Sequence, residues 1–321
     1  MKKLIALASG FTLAMASAAG LAAYPEKPIR LVVPFSPGGN IDLTARLMSK
    51  ALTAELGQPV VVENKPGASG LIGAELVAKS EPDGYTLLLA SSGSLSAAPA
   101  LFPKMSLNAA RDLKASRAQT NVPLVLAVNP KLEVKSVADL IAYAKAHPGK
   151  LTMASTGVGT SNHLAGELFQ RVSGTTFTHV PYKGSSQALN DIVGGQVDLM
   201  FDNIPSSLGF IKSGTLRGLA VTSDKRSDSL PDLPTMAQAG VPDYEASTTT
   251  GIAMPAATPD NVAQTLDRAM AKALESAELK QSFLQMGATP INLSPAGFTQ
   301  VLQSENVKWT KIISDANIVP N

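Results

Sequence analysis

Two stretches of small and polar residues carry the chemistry that this chain could do. Phe35-Ser36-Pro37-Gly38-Gly39-Asn40-Ile41-Asp42 follows an apolar run and opens a helical pattern. Its paired glycines let backbone approach a ligand without Cβ atoms in the way. Free N–H groups at the start of a helix, at the positive end of its dipole, favour an anion. A tight turn capped by Asp42 satisfies the same residues, and from this loop alone the two readings stand level. Ser155-Thr156-Gly157-Val158-Gly159-Thr160-Ser161-Asn162-His163 repeats the arrangement, and six of its nine residues bear a hydroxyl, amide or imidazole. Gly157 and Gly159 sit where successive N–H groups could form an anion-binding nest. Two such loops, one in each half of the chain, read as opposing jaws on one small ligand. A dinucleotide fingerprint is not met, because Asn162 stands where a third glycine is needed.

Other polar clusters carry less. Gly67, Gly70 and Gly73 fall three apart, a spacing that favours close helix–sheet packing over phosphate binding. Ser92, within Ser91-Ser92-Gly93-Ser94, and Asp202, within Phe201-Asp202-Asn203, could add polar groups to the same cleft, as could any polar strand end. His163 and Glu167 are four apart on one helix face. Two groups do not close a metal site, so a hydrogen-bonded pair is the favoured reading and no metal or cofactor is expected. Lys183 could reach an anion, although a solvated lysine is the more ordinary condition. Signatures of catalysis are missing: there is no G-x-S-x-G elbow, P-loop or H-E-x-x-H. The chain has no cysteine, which excludes thiolate catalysis, thiolate-bound metals and disulfides.

These loops need strands behind them and helices in front, and the sequence supplies both. Apolar runs at 29–35, 60–63, 85–90, 124–128, 151–154, 177–180, 197–201 and 216–221 alternate with helical patterns at 42–56, 71–78, 136–147, 162–172 and 186–193. Near-continuous apolar strands alternating with helices predict parallel sheets covered on both faces. After about Leu230 the pattern changes to Pro-rich loops and then helices at 259–274 and 295–314. Two α/β units with a helical tail suit a two-lobed molecule with a cleft, and ligands of such sheets bind beyond the carboxyl ends of the strands.

Composition narrows the function. Lys2 and Lys3, an uncharged apolar run over 4–21 and a small-residue exit at Ala22–Ala23 read as a cleavable secretory leader spanning 1–23. Removing Lys2 and Lys3 from the 27 Lys and Arg leaves them equal in number to the 25 Asp and Glu. A neutral chain without basic clusters has no footprint for nucleic acid. No second run approaches the ~18 apolar residues of a membrane span. The expectation is an exported protein, most simply periplasmic and monomeric.

Taken in order, the motifs resemble the Bug family of extracytoplasmic solute receptors of tripartite tricarboxylate transporters. The matching stretches include Tyr24-Pro25-Glu26-Lys27-Pro28-Ile29-Arg30, Pro-Phe-x-Pro-Gly-Gly-x-x-Asp from Pro34 to Asp42, Pro82-Asp83-Gly84-Tyr85, Gly157-x-Gly159-Thr160-x-x-His163-Leu164-Ala165, His179-Val180-Pro181-Tyr182-Lys183-Gly184 and Phe201-Asp202. The resemblance implies a Venus flytrap, each lobe a mostly parallel sheet flanked by helices, closing on a small organic anion for delivery to membrane transporter subunits. It implies that the two loops contributing Phe35, Pro37, Gly38, Gly39, Thr156, Gly157, Gly159 and Thr160 hold the ligand through their backbone N–H groups and water, with Asp42, Ser92, His163 and Asp202 as secondary candidates. It also implies a discontinuous first domain, 24–120 plus 225–321, and a second at 121–224. The polar segment Arg111–Thr120 departs from the family pattern, which places an apolar strand there. A receptor for a sensor partner, or an exported hydrolase using the same cleft, are the competing functions.

Overall fold

The computed structural model of the chain describes residues 24–97, 101–102, 106–315 and 318. The expected leader, 1–23, lies outside the described residues.

The first lobe grows from three apolar runs. Ile29–Val33 (β1) lies between Val60–Asn64 (β2) and Thr86–Ser91 (β3), all parallel. Leu31, Val33, Leu87 and Leu89 pack with Ala45, Met48 and Leu52 of the helix Asn40–Leu56 (α1). On the other face Val32 and Leu88 pack with Leu71, Ala74 and Val77 of Leu71–Ala78 (α2). Burial on both faces is why these strands read as unbroken apolar runs. A short helix, Ser92–Ser96 (α3), continues directly from β3, and Ala109–Asp112 (α4) leads to the lobe crossing.

The second lobe repeats the scheme. Thr152–Ser155 (β5) lies between Thr178–Pro181 (β6) and Leu199–Asn203 (β7), again parallel. Val137–Ala146 (α5), Ser161–Ser173 (α6), Ser185–Gly194 (α7) and Ile204–Lys212 (α8) flank them. Arg217–Val221 (β8) closes this half. The strands and helices expected from the sequence are present within a few residues of their predicted bounds, except that the strand read at 124–128 begins eleven residues earlier, at Leu113.

What the sequence did not suggest is how the halves join. Leu113–Val128 (β4) is one strand of 16 residues that belongs to both. Its first part pairs with Ser247–Pro255 (β9) and Thr289–Leu293 (β10), and Leu124–Val128 pairs with β7 and β8. The strand order is β2-β1-β3-β9-β4-β7-β5-β6. A strand leaving the first lobe and its neighbour returning must run oppositely, so β9 is antiparallel to β4 and also to β3. Each half therefore has a parallel outer set and antiparallel inner strands, a mixed sheet where a mostly parallel one was expected.

The divergent polar segment 111–120 is largely β4 itself, and its polar side chains have partners. Lys114 Nζ meets Asp260 at 3.0 Å, and Arg117 grips Asp267 through Nε and Nη2 at 2.9 and 3.0 Å. Gln119 Nε2 donates to Thr250 Oγ1 at 3.1 Å, and Thr120 and Thr250 hydroxyls meet at 2.6 Å. The tail after Leu230 also corrects the expectation of loops and two helices. It contains β9 and β10, then separates Asp260–Ala273 (α9) from Ala277–Gln285 (α10), before the long Pro295–Asp315 (α11). Before β9, Met236, Val241, Tyr244 and Ala246 pack with Phe169 and Phe201 of the second lobe. Helix α11 serves both halves: Phe298 lies in the first-lobe core, and Trp309, Ile312 and Ile313 lie in that of the second.

Gly251 on β9 shows how tight that arrangement is, because a Cβ there would run into the buried ring of Phe298. Gly251→Val should cost about 1–3 kcal/mol through overpacking, read as a lower urea midpoint with an unchanged m-value.

Candidate ligand site

Three strand-to-helix turns meet in the cleft. Helices α1, α6 and α7 begin there, and the wall includes Phe35, Ser36, Gly39, Asn40 and Ile41 from the first lobe. Thr156, Thr160, Ser161, Asn162, Gly184, Ser185 and Asn203 come from the second, with Ser91 and Thr248 from strands β3 and β9. The enclosed cavity measures about 30 Å³. No Lys, Arg, Asp or Glu is among these lining residues.

The lobes touch around its rim. Ser36 N–H donates to the Lys183 carbonyl at 3.3 Å, and Ser186 Oγ donates to the Pro37 carbonyl at 2.9 Å. Gly38 has φ +84°, and a Cβ on it would stand 2.7 Å from Ser186 Oγ. Gly157 has φ +128°, and its Cβ would stand 2.7 Å from Ser69 Oγ of the opposite lobe. At both positions the left-handed backbone and the close approach require glycine. The loop carrying Ser69, read from sequence as a packing element, thus also reaches across the cleft. Lys183 contributes its carbonyl there, while its side chain is exposed.

Each jaw is braced from behind. Asp42 accepts the Gly38 N–H at 3.0 Å, Arg46 Nε at 2.9 Å and Asn64 Nδ2 at 3.0 Å. Burial alone would raise its carboxyl, but the Arg46, Gly38 and Asn64 hydrogen bonds and the Arg46 charge hold it below 3.8. In the second lobe Asn162 Nδ2 donates to the Phe201 carbonyl and to Asp202, while its Oδ1 accepts Thr156 Oγ1 at 2.7 Å. Asp202, fully buried, also accepts Ser185 Oγ at 2.7 Å and Ser207 Oγ at 2.6 Å. Burial pushes its carboxyl up, with the serine hydrogen bonds opposing.

The sequence candidates accordingly fall into three groups. Phe35, Gly39, Thr156 and Thr160 line the cavity. Pro37, Gly38, Gly157 and Gly159 shape the turns beside it. Asp42, Ser92, His163 and Asp202 stand behind the wall, Ser92 Oγ accepting the Thr249 N–H at 3.1 Å and His163 facing Glu167 Oε1 at 3.5 Å. Nor are the glycine amides free: Gly38 N–H is held by Asp42, Gly157 N–H by Ser155 Oγ and Gly159 N–H by His163 Nδ1. The amides without a partner inside their helices are those of the first turns that follow, beginning at Asn40, Ser161 and Ser185. Two side-chain atoms in the wall, Asn40 Nδ2 and Ser161 Oγ, are buried and without a partner.

Sequence reasoning placed Asn40 and Ser161 in the two loops and pointed to helix-start N–H groups without singling these residues out, and it missed Ser185, for which Gly184 immediately before the helix was a usable signal. Thr248 had no such signal, because β9 was not recognised as a strand.

A two-lobed α/β molecule with helix starts converging between its lobes matches a known group. The sequence pattern described as "Tripartite tricarboxylate transporter family receptor" covers residues 44–318. The chain belongs to that family. The receptor is 39% identical over 318 residues to protein BugT of Bordetella pertussis, covering 98% of each chain. The structure of R. palustris Rpa4515 with adipate shares 36% identity and superposes with a TM-score of 0.90, over 93% of this chain and 100% of that one. MatC (Rpa3494) from Rhodopseudomonas palustris with bound malate shares 30% identity at a TM-score of 0.86, over 90% and 100%.

The Asp42 brace is testable in the receptor itself. Its stabilisation is present above the ordinary 3.8 and is lost as pH falls through the lower folded value. Asp42→Ala should cost about 1.5–3 kcal/mol at pH 7, and the difference from wild type should shrink as denaturation is repeated at successively lower pH.

Proposed function

We propose that this receptor captures a small carboxylate between its lobes in the periplasm and presents it to membrane transporter subunits. The observation that carries this reading is the convergence of three helix starts on one cavity whose wall holds the unpartnered donors Asn40 Nδ2 and Ser161 Oγ and no charged side chain. An anion entering there meets unpaired amides and dipole ends from both lobes. A positively charged solute meets no carboxylate in the wall. The relatives crystallised with adipate and malate support the same class of ligand.

A cavity of about 30 Å³ has room for roughly two waters. A dicarboxylate needs more, so the Pro37–Gly39 and Gly184–Ser186 turns must separate to admit and hold it. We place the hinge where the chain changes half-sheets, at Pro123–Leu124 outward and Ala246–Ser247 on return. The packing of Met236, Val241 and Tyr244 favours a second domain that runs to Ala246, beyond the 224 expected from sequence. A cleavable leader at 1–23 accounts for export, and a single chain supplies the complete cleft. Among the described residues no helix is long and apolar enough to cross a membrane.

One feature raises the hydrolase alternative: Ser155 Oγ lies 2.6 Å from His179 Nε2. Ser155 is fully buried, does not line the cavity, and is occupied by the Gly157 amide. Burial and the neighbouring His163 also hold His179 down to about 3, too low for a general base at neutral pH. The pair supports the loop rather than attack on a substrate.

Melting of the receptor should rise with adipate, malate or another small carboxylate, by about 2.7 kcal/mol of added stability at one hundred times Kd. Ser161→Ala and Asn40→Ala should each weaken that binding about three- to tenfold, the worth of one hydrogen bond. Ser161→Ala should leave the melting point of the ligand-free protein unchanged, because Oγ has no partner to lose, whereas Asn40→Ala also removes the Oδ1 that accepts Thr44 Oγ1 at 3.5 Å and should lower it slightly. Absence of any carboxylate-induced shift, or wild-type affinity in both variants, would refute the assignment.

A further inference from the structure

His163 and His179 stack behind the second jaw with ring centroids 4.0 Å apart. His163, on α6, accepts the Gly159 N–H through Nδ1 at 3.1 Å. That atom therefore carries no proton, and Nε2–H faces Glu167 Oε1 at 3.5 Å. His179, on β6, places Nε2 2.6 Å from Ser155 Oγ, and the same oxygen accepts the Gly157 N–H at 3.1 Å. One ring thus holds one glycine amide directly, and the other ring holds the second through a hydroxyl. On one side of those glycines lies Thr156 and on the other Thr160 and Ser161, all of the cavity wall.

We propose that His163 and His179 are positioning residues that hold the second-lobe jaw in its ligand-binding shape, and that a single proton on the stack releases it. Two cations at this ring separation repel, so the stack takes one proton. Burial and the His163 charge hold His179 down, and on His163 the ring position still open to a proton is Nδ1, since Nε2 carries its hydrogen. Glu167, on the same helix, pairs with the resulting cation. Burial would raise its carboxyl, but hydrogen bonds from His163 and Gln170 and the charges of protonated His163 and His179 hold it below its ordinary value. Arg171 and the Lys311–Asp315 pair of α11 line the groove beyond Glu167. Glu167 is the charged side chain that faces the stack directly. Once Nδ1 is protonated, two N–H groups face each other where a hydrogen bond stood. The Gly159 amide then lacks an acceptor, and the turn carrying Thr160 and Ser161 has to move.

Two measurements decide it, the second resting on the carboxylate reading and the first independent of it. In the full chain with ¹⁵N-labelled histidine, the His163 ring should be the Nε2–H tautomer at pH 7.5. The Gly159 amide resonance should shift with the midpoint at which that ring titrates. An Nδ1–H tautomer, a Gly159 amide that ignores the titration, or a ring that takes no proton above pH 5 overturns the inference. With adipate as probe, wild-type affinity should fall about tenfold per pH unit below that midpoint, the slope of one excluded proton. His163→Asn keeps an acceptor at the Nδ1 position and cannot titrate, so its affinity should change only with adipate's own ionisation. Equal pH slopes for wild type and His163→Asn would defeat the release mechanism. Failure of wild type to bind adipate at pH 7.5 would count against that ligand class and leave the ring and amide measurement decisive.

Discussion

An anion site without a cation in its wall imposes a demand on the whole molecule. The charge has to be met by amides at helix starts, whose influence fades within a turn, so several helices must begin within reach of one point. No single parallel sheet can deliver this from one side and also enclose the ligand. The receptor meets the demand by bringing α1 from one lobe against α6 and α7 from the other. The neutral balance of the chain after Lys2 and Lys3 fits this design, since no broad field draws the ligand in and the attraction is confined to the cleft.

That convergence depends on the one strand that belongs to both halves. In β4 the lobes share backbone, and α11 seats Phe298 in one core and Trp309 in the other. The hinge proposed above lies where β4 changes partners, beside Val122–Leu124. There the Asn203 amide donates to Thr248 Oγ1 at 2.9 Å. Both residues also line the cavity. The cavity floor and the proposed hinge are thus neighbours.

Much of this was legible in the residues. Strands buried on both faces announce themselves as apolar runs, and the Gly-rich turns after β1 and β5 marked the two principal jaws. The first part of β4 and its neighbour β9 were not legible, for a physical reason: both are central, yet carry Arg117, Gln119, Thr120 and Thr248–Thr250. Their polarity is satisfied only by partners far away in sequence, such as Asp267 for Arg117 and Thr250 for Gln119. A polar run whose partners lie 130 to 150 residues away looks like a loop until the fold supplies them. The same limit applies to Asp42, Asp202 and His163. Their side chains suggested ligand contact, but each is occupied in holding a turn.

This division of labour explains why the glycines and the ligand donors are adjacent rather than identical. A glycine in the left-handed region turns the chain sharply, but its amide is then left pointing into the loop and needs an acceptor. Asp42 supplies one for Gly38, Ser155 for Gly157 and His163 for Gly159. With the turn so fixed, the next residues enter the helix with their amides aimed outward and unmatched. The first-turn amides proposed as ligand donors are held in place because the amides just before them are spent. On that proposal the braces set the geometry of the cavity wall, and a change in any of them acts on the wall through the turn it holds.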